Sequence, residues 1–466
     1  MALTFGAKQT YTTPGGGAQA LYNQSCMLDS THFVVTWRDT NDSDQGKCVV
    51  GTVSGSTVTY GSIVTFNAAD TRNPAVCKID STHFAVAFRD TGDSGKGKAM
   101  IATVASGDVI TFGSEYTFAA GTINNPDIKL LDSTHLVVSY DDVTNTDGSA
   151  IVGTISSTDV ITFGTRVAFN STDINGSKIA VLDSAHFAVI FKGASNEYVK
   201  SIVGVVSGGT TITFGSVVSV LADNSNSIGV CTIDSTHFLV AYTDNTAALV
   251  SGNVGTVASG DVITIGTKYS AAISVNEIQV RLLSSTTFFF SGITGGTVLN
   301  VNTGSLSGSV ITYDTAVTAD SGSNGYVGAD MLTATSIVVT YSNTDSSPVG
   351  TARIGSISTD YTVTCGTGAF TLTGSAINIV KNLHISMGTG SFSLTGNAIN
   401  VLTGTVTRII MGTGQFILTG IDIILGGHRY SNDTKPSAGS YTNDTKPSSS
   451  YSNDTKPSGS WTNDSI

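Results

Sequence analysis

Three stretches concentrate oxygen-bearing side chains: Asp39-Thr40-Asn41-Asp42-Ser43-Asp44, Asp90-Thr91-Gly92-Asp93-Ser94-Gly95 and Asp141-Asp142-Val143-Thr144-Asn145-Thr146-Asp147. Convergent carboxylates and carbonyls at short spacing can hold calcium, and Asp39, Asn41 and Asp44 are the nearest approach to such a set, although the terminal bidentate Glu of an EF-hand loop is missing. The same carboxylates and amides could hydrogen-bond sugar hydroxyls. They could equally be turn formers with no ligand. A recurring histidine (His32, His83, His135, His186, His237) suggests a metal, but one per repeat unit puts neighbours roughly 10 Å apart, too far to share an ion held near 2 Å. It reads as a structural hydrogen-bonding residue. Gly92 to Lys98 has the spacing of a phosphate loop, but Ala99 replaces the magnesium-ligating hydroxyl and a strand follows. Gly92-Asp93-Ser94-Gly95 lacks histidine and aspartate partners for nucleophilic catalysis. No catalytic residue and no cofactor are expected, calcium at Asp39, Asn41 and Asp44 being the one metal option.

These stretches are loops because of what lies between them. Asp29-Ser30-Thr31-His32-Phe33 returns from Asp80, Asp132, Asp183 and Asp234, then in degraded form at Ser284 and Thr333. The interval is about 50 residues, near the length of a propeller blade. In the second unit, Pro74–Ile79, His83–Arg89, Lys98–Val104 and Val109–Phe118 alternate like strands, separated by turn residues. Phe84, Val86 and Phe88 face one way and Ala85 and Ala87 the other, so both faces of the sheet are buried. An aromatic five positions after the histidine column (Trp37, Phe88, Tyr140, Phe191, Tyr242, Tyr341) is expected to pack between blades. The expected fold is all-β: a seven-bladed β-propeller, then a small β-repeat module and an extended C-terminal arm. A second landmark, apolar-Thr-aromatic-Gly, occurs eight times against seven of the first. The extra copy lets Leu3–Thr13 supply the outer strand of blade seven, with Val363–Gly366 as its competitor.

Composition agrees. Of 466 residues only 12% are charged and 52 are glycine, a poor surface for helices. The net charge of -12 argues against nucleic acid and anionic membranes, which need clustered Lys and Arg. No apolar run approaches the roughly 18 residues of a membrane span. The opening Met1-Ala-Leu-Thr-Phe-Gly has no basic start or long apolar run, so synthesis in a cytoplasm without a secretory address is expected. The five cysteines include no C-x-x-C pair and read as apolar filler.

Beyond residue 365 the period changes. Gly366 to Gly374 is echoed by Gly388 to Gly396 and Gly412 to Gly420, read as three β-hairpin repeats over 366–428 that stack on one another or on other copies of the chain. Residues 429–466 repeat an aromatic-x-Asn-Asp phrase starting at Tyr430, Tyr441, Tyr451 and Trp461. A polar arm with regular aromatics suits docking onto a partner.

The blade phrases Arg89-Asp90 and Val152-Gly153-Thr154-Ile155 followed by Ile161-Thr162-Phe163-Gly164 resemble those of seven-bladed propellers in tail-fibre and other surface proteins of tailed bacteriophages and some aquatic bacteria. The Gly-x-Phe-x-Leu-Thr-Gly repeats and the C-terminal arm are similar to the ends of phage structural proteins. The resemblance implies a non-enzymatic virion protein, assembled in the host cytoplasm and exposed on the particle. Its long-loop face (Asp39, Asn41, Asp42, Asp44, Asp90, Asp93, Asp141, Asp142, Asp147) would bind host surface glycan, and its C-terminal segments would contact other virion proteins or further copies of itself. Two alternatives stay open: a capsid or tail decoration protein without a receptor, and, least favoured, a polysaccharide-degrading tail enzyme.

Overall fold

The computed structural model describes residues 2–12, 20–156, 159–259, 261–322, 324–343, 349–358, 361–365, 368–380, 383–402, 408–419, 422–425, 428–432, 439–441 and 461–464. Among these there is no helix. Contacts divide the chain into one unit over Leu3–Ile357 and a second over Ser358–Ile466.

In the first unit the 50-residue period becomes a sheet. The first runs from an innermost strand, Ala20–Met27, through His32–Asp39 and Gln45–Ser54 to an outer strand, Thr57–Tyr60, all antiparallel. Seven such four-stranded arrangements occur among the described residues. Their innermost strands touch in sequence, and that of the seventh, Asn324–Thr333, returns to contact Ala20–Met27. The ring is therefore closed, and the unit is a β-propeller.

Closure uses the N-terminus. Ala2–Phe5 is the outer strand of the seventh sheet, next to Val349–Ser358, and Gln9–Thr10 continues the pairing at Ala352 and Thr351. Gly6 N donates to Ile354 O at 2.9 Å. Arg353 Nε and Nη2 donate to Gly6 O at 2.9 and 2.6 Å, while its guanidinium lies over the Phe5 ring at 5.6 Å. The free edge that a linear array would expose is thus paired.

One boundary differs from the expectation. The outer strand of the second sheet ends at Phe112 rather than Phe118, and a new strand, Tyr116–Asp132, begins after Gly113-Ser114-Glu115. Both segments pair with Lys96–Ala105, at Phe112↔Ala102 and Tyr116↔Ala99. The interruption bends the edge so that the later strand can cross to the next sheet, where Ile128 pairs with Val138.

The cores lie between sheets. Trp37, Phe88, Tyr140, Phe191, Tyr242 and Tyr341 are fully buried, with partners such as Phe66 (5.2 Å between centroids with Phe88) and Phe118 (5.3 Å with Tyr140). Glycine makes room for these rings: a β-carbon on Gly97 would stand 2.4 Å from Phe118 Cε2. Each of the five His side chains is held by the aspartate three residues before it. His83 Nδ1, for instance, lies 2.9 Å from each Asp80 carboxylate oxygen. Asp80 Oδ1 also accepts from Thr82 N at 2.7 Å, an Asx turn that fixes the tight connection.

Among the described residues of the second unit the three repeats pair with one another in parallel rather than as hairpins. Gly368–Val380 pairs with Leu383–Leu402 in parallel, at Phe370↔Phe392 and Leu372↔Leu394, and Leu383–Leu402 pairs in parallel with Arg408–Thr419 at Phe392↔Phe416. Each repeat therefore lies on its equivalent in the next, like on like. A hairpin would set the two halves of one repeat against each other; a period of 22–24 residues, its small variation lying in the connections, instead lets equivalent segments stack in register. Tyr430 lies in His428–Asn432 and Tyr441 in Gly439–Tyr441. Trp461 pairs with Asn432. Tyr451 lies outside the described residues.

Candidate functional site: the axial pocket

The long loops between second and third strands and the connections between sheets share one face. Thr71 N donates to Asp44 O at 2.9 Å, and Ile123 N to Gly95 O at 3.0 Å. The carboxylates singled out in the sequence sit here, but most are engaged by their own neighbours. Asp39 and Asp42 share Lys47, at 3.2 and 2.6 Å, and Asp44 pairs with Arg38 at 2.7 Å. Asp93 meets Lys96 and Lys98, each at 2.9 Å. Asp142 and Asp147 hold Arg166 at 2.8 and 2.5 Å. Asp90 Oδ1 accepts from Asp93 N at 3.2 Å, and Asn41 N donates to Asp39 Oδ1 at 3.1 Å. Since Asp39 and Asp44 are paired with different cations, a calcium ion bound by Asp39, Asn41 and Asp44 would have to displace both.

Asp141 is different. It is 2% exposed and accepts from Asn125 Nδ2 at 2.7 Å and Gly176 N at 3.1 Å. Burial outweighs these hydrogen bonds and pushes its carboxyl up to about 7. It supports one side of a feature that sequence reasoning did not single out, a pocket on the ring axis.

This pocket of about 280 Å³ is lined by residues of the innermost strands, most of them near where each begins to pair with the second strand of its sheet, near the lower end of the roughly 300–1,000 Å³ of small-ligand sites. Below it a smaller cavity of about 20 Å³ leaves space for about one water. The lining follows from a bulge in the pairing of the innermost strand with the second. Between Leu21 and Gln24, Arg72 and Ala75, Asn124 and Asp127, and Gly325 and Gly328 the pairing register shifts. At these bulges Tyr22, Asn73, Asn125 and Tyr326 have φ of 56°, 50°, 44° and 54°. Glu277 at the corresponding place in the sixth sheet has φ 58° and Gly176 in the fourth φ 90°. Asparagine accepts the left-handed region readily, but tyrosine and glutamate there are strained by about 1–3 kcal/mol.

The rim is laced from sheet to sheet. Asn73 Nδ2 donates to Asn125 Oδ1 at 3.0 Å, and Asn125 in turn to Asp141. Asn23 Nδ2 donates to Tyr326 O at 3.0 Å, Ile278 N to Ser227 Oγ at 2.8 Å and Val327 N to Glu277 Oε2 at 3.0 Å. Tyr22 and Tyr326 meet edge to face with ring centroids 5.0 Å apart. The mouth thus offers two aromatic rings, the amides of Gln24, Asn73, Asn125 and Gln279, and apolar wall from Pro74, Pro126 and Ile278.

A signal for this site exists in the repeats. The position ten residues before the histidine column reads Tyr22, Asn73, Asn125, Gly176, Ser227, Glu277 and Tyr326. Two residues later it reads Gln24, Ala75, Asp127, Lys178, Gly229, Gln279 and Gly328. The aspartate-histidine turn holds one chemical type in five of the repeats and the aromatic column in six of seven; here they diverge, as positions facing a ligand rather than a neighbouring sheet can.

No protein-family model matches the chain, and no curated protein matches it in sequence. Solved structures do resemble it in fold. The WD40 domain of Toxoplasma gondii coronin aligns with a TM-score of 0.50 at 8% identity, covering 76% of this chain and 87% of that one. The six-bladed fungal lectin of Aleuria aurantia gives 0.42 at 11% identity over 64% and 97%. The polysaccharide lyase Uly1 gives 0.47 at 8% over 75% and 92%. The coronin likeness agrees with the closed ring: the fold is a β-propeller.

Proposed function

We propose that the chain is a carbohydrate-binding adhesion protein that acts by binding without turnover, its axial pocket rather than its acidic loops taking the sugar. One observation carries this reading: strained Tyr22 and Tyr326 stand beside the amides of Gln24, Asn73, Asn125 and Gln279 at the mouth of a pocket of sugar size. The apolar C–H face of a pyranose packs against aromatic rings while amides exchange hydrogen bonds with its hydroxyls. Tyrosine held in the left-handed region costs stability, and such strain is often found at ligand clamps.

The sequence resemblance supports placing this adhesin on the particle of a tailed bacteriophage, with host surface glycan as its target. The C-terminal repeats and arm would attach it to other virion proteins or to further copies of itself. Labelling intact particles with antibody against the propeller tests the location, and labelling confined to the host membrane would refute it. The binding reading is tested by incubating the full-length chain with a glycan array and repeating with Tyr326→Ala. Saccharide binding weakened at least about tenfold by the substitution is expected. Binding to saccharides that Tyr326→Ala leaves unchanged would move the site elsewhere, and no binding at all would refute the reading.

A further inference from the structure

We infer that the saccharide is anionic and that Lys178 receives its charged group. This rests on the carbohydrate reading above and adds to it the chemical class of the ligand.

Five charged side chains come from the innermost strands near the narrow part of the axis: Asp127, Lys129, Lys178, Arg281 and Asp330. Four of them form two pairs. Lys129 Nζ lies 3.1 Å from Asp127 Oδ1 and Arg281 Nε 3.5 Å from Asp330 Oδ1. The second oxygen of each carboxylate also has a task. Asp127 Oδ2 accepts from Ile179 N at 2.8 Å, and Asp330 Oδ2 from Met27 N at 2.8 Å. Both satisfy backbone amides on the inner edge of the next sheet, which no further strand pairs.

Lys178 is left over. Three cations against two anions leave one positive charge, and the Lys178 side chain has no hydrogen-bond or ion-pair partner among the described residues. It lines both the mouth pocket and the constriction beneath it. Burial disfavours its ammonium and holds it below the ordinary lysine range, the attraction of Asp127 offsetting this only in part. The other nearby carboxyls are occupied: Asp141 by Asn125 and Gly176, Glu277 by Val327 N. An unpaired ammonium in a confined site is costly unless a partner arrives. A carboxylate or sulfate on a sugar packed against the Tyr22–Tyr326 pair would supply that partner and form a charge-assisted hydrogen bond.

The test uses the full-length protein and an array of matched neutral, uronic-acid-bearing and sulfated oligosaccharides. The strongest acidic binder is then titrated calorimetrically, beside its carboxyl-reduced or desulfated form, into wild type, Lys178→Met, Lys178→Gln and Tyr326→Ala. Thermal melting confirms that each variant folds. Acidic saccharides should dominate the array, with uronate or sulfate hits identifying the group. Both Lys178 variants should lose at least about tenfold in affinity for the acidic saccharide and little for its neutral form, whereas Tyr326→Ala should weaken both. Neutral saccharides binding as well as acidic ones, or Lys178 variants with unchanged affinity, would overturn the anionic inference and leave the carbohydrate reading standing. Absence of binding to any saccharide would overturn both.

Discussion

Gly204 lies against the ring of Phe187: a β-carbon built on Gly204 would stand 2.3 Å from Phe187 Cζ. The two residues pair across adjacent strands. Gly255 repeats the relationship with Phe238 at 2.1 Å and Gly304 with Phe288 at 2.5 Å. In the second sheet the partner of Phe84 is Ala102, so the slot there accepts one methyl.

Gly204→Val should therefore force Phe187 out of its place in a core where both faces are buried. A loss of about 1–3 kcal/mol is expected, read as a lower denaturant midpoint with unchanged slope. Gly209→Ala, on a turn, is the comparison at a site where left-handed backbone (φ 84°) rather than crowding sets the cost.

At the rim, Tyr326 is held in the left-handed region. Tyr326→Gly should be more stable than Tyr326→Ala by about 1 kcal/mol, because glycine adopts a φ of 54° without the steric penalty. Both should lose saccharide affinity. Equal stability of the two variants in thermal melts would show that the backbone there is unstrained.

Ionisation acts in opposite directions at two places. Asp29 loses some hydration, but hydrogen bonds from Thr31 and His32 hold its carboxyl down at about 2; Asp80, Asp132, Asp183 and Asp234 are lowered in the same way. A carboxyl depressed on folding stabilises above its unfolded value of 3.8, and this is lost as pH falls toward 2. Asp141, raised by burial to about 7, has the reverse sign: its penalty grows as pH rises from about 4 to 7. Asp141→Asn, whose amide oxygen can still accept from Asn125 and Gly176, should raise stability at pH 7 and remove the decline between pH 4 and 7. Denaturant titrations at pH 3, 4, 5.5 and 7 measure both. A variant that parallels wild type across that range would refute the Asp141 assignment.

Ring closure can be tested at Arg353. Removing its guanidinium as Arg353→Met leaves Gly6 O without two charge-assisted hydrogen bonds, for an expected loss of about 1–3 kcal/mol. Amide exchange should accelerate first in Ala2–Phe5 and Val349–Ser358. Uniform acceleration through all seven sheets would mean that the N-terminal strand is not a separate weak point.

Much of this was legible without coordinates, because local chemistry repeated seven times leaves little freedom. Alternation from Phe84 to Phe88 states that both faces are buried, Asp80-Ser81-Thr82-His83 states where the turn falls, and an eighth copy of Thr-aromatic-Gly states that two strands compete to close the ring. The acidic loops were legible as loops, but not that Asp39 would find Lys47 and Asp44 Arg38, since such pairings depend on how the loop folds back on its own strands. The C-terminal repeats carry their period in the chain, yet a period fits a hairpin and a parallel stack equally, and only strand register separates them. The axial pocket was the least visible. Its residues lie about 50 positions apart and acquire a common role only when the ring closes and brings Tyr22 against Tyr326. The surplus charge of Lys178 is of the same kind: a lysine fits on any strand, and it is the placing of Asp127 on Lys129 and Asp330 on Arg281 that leaves this one without a partner.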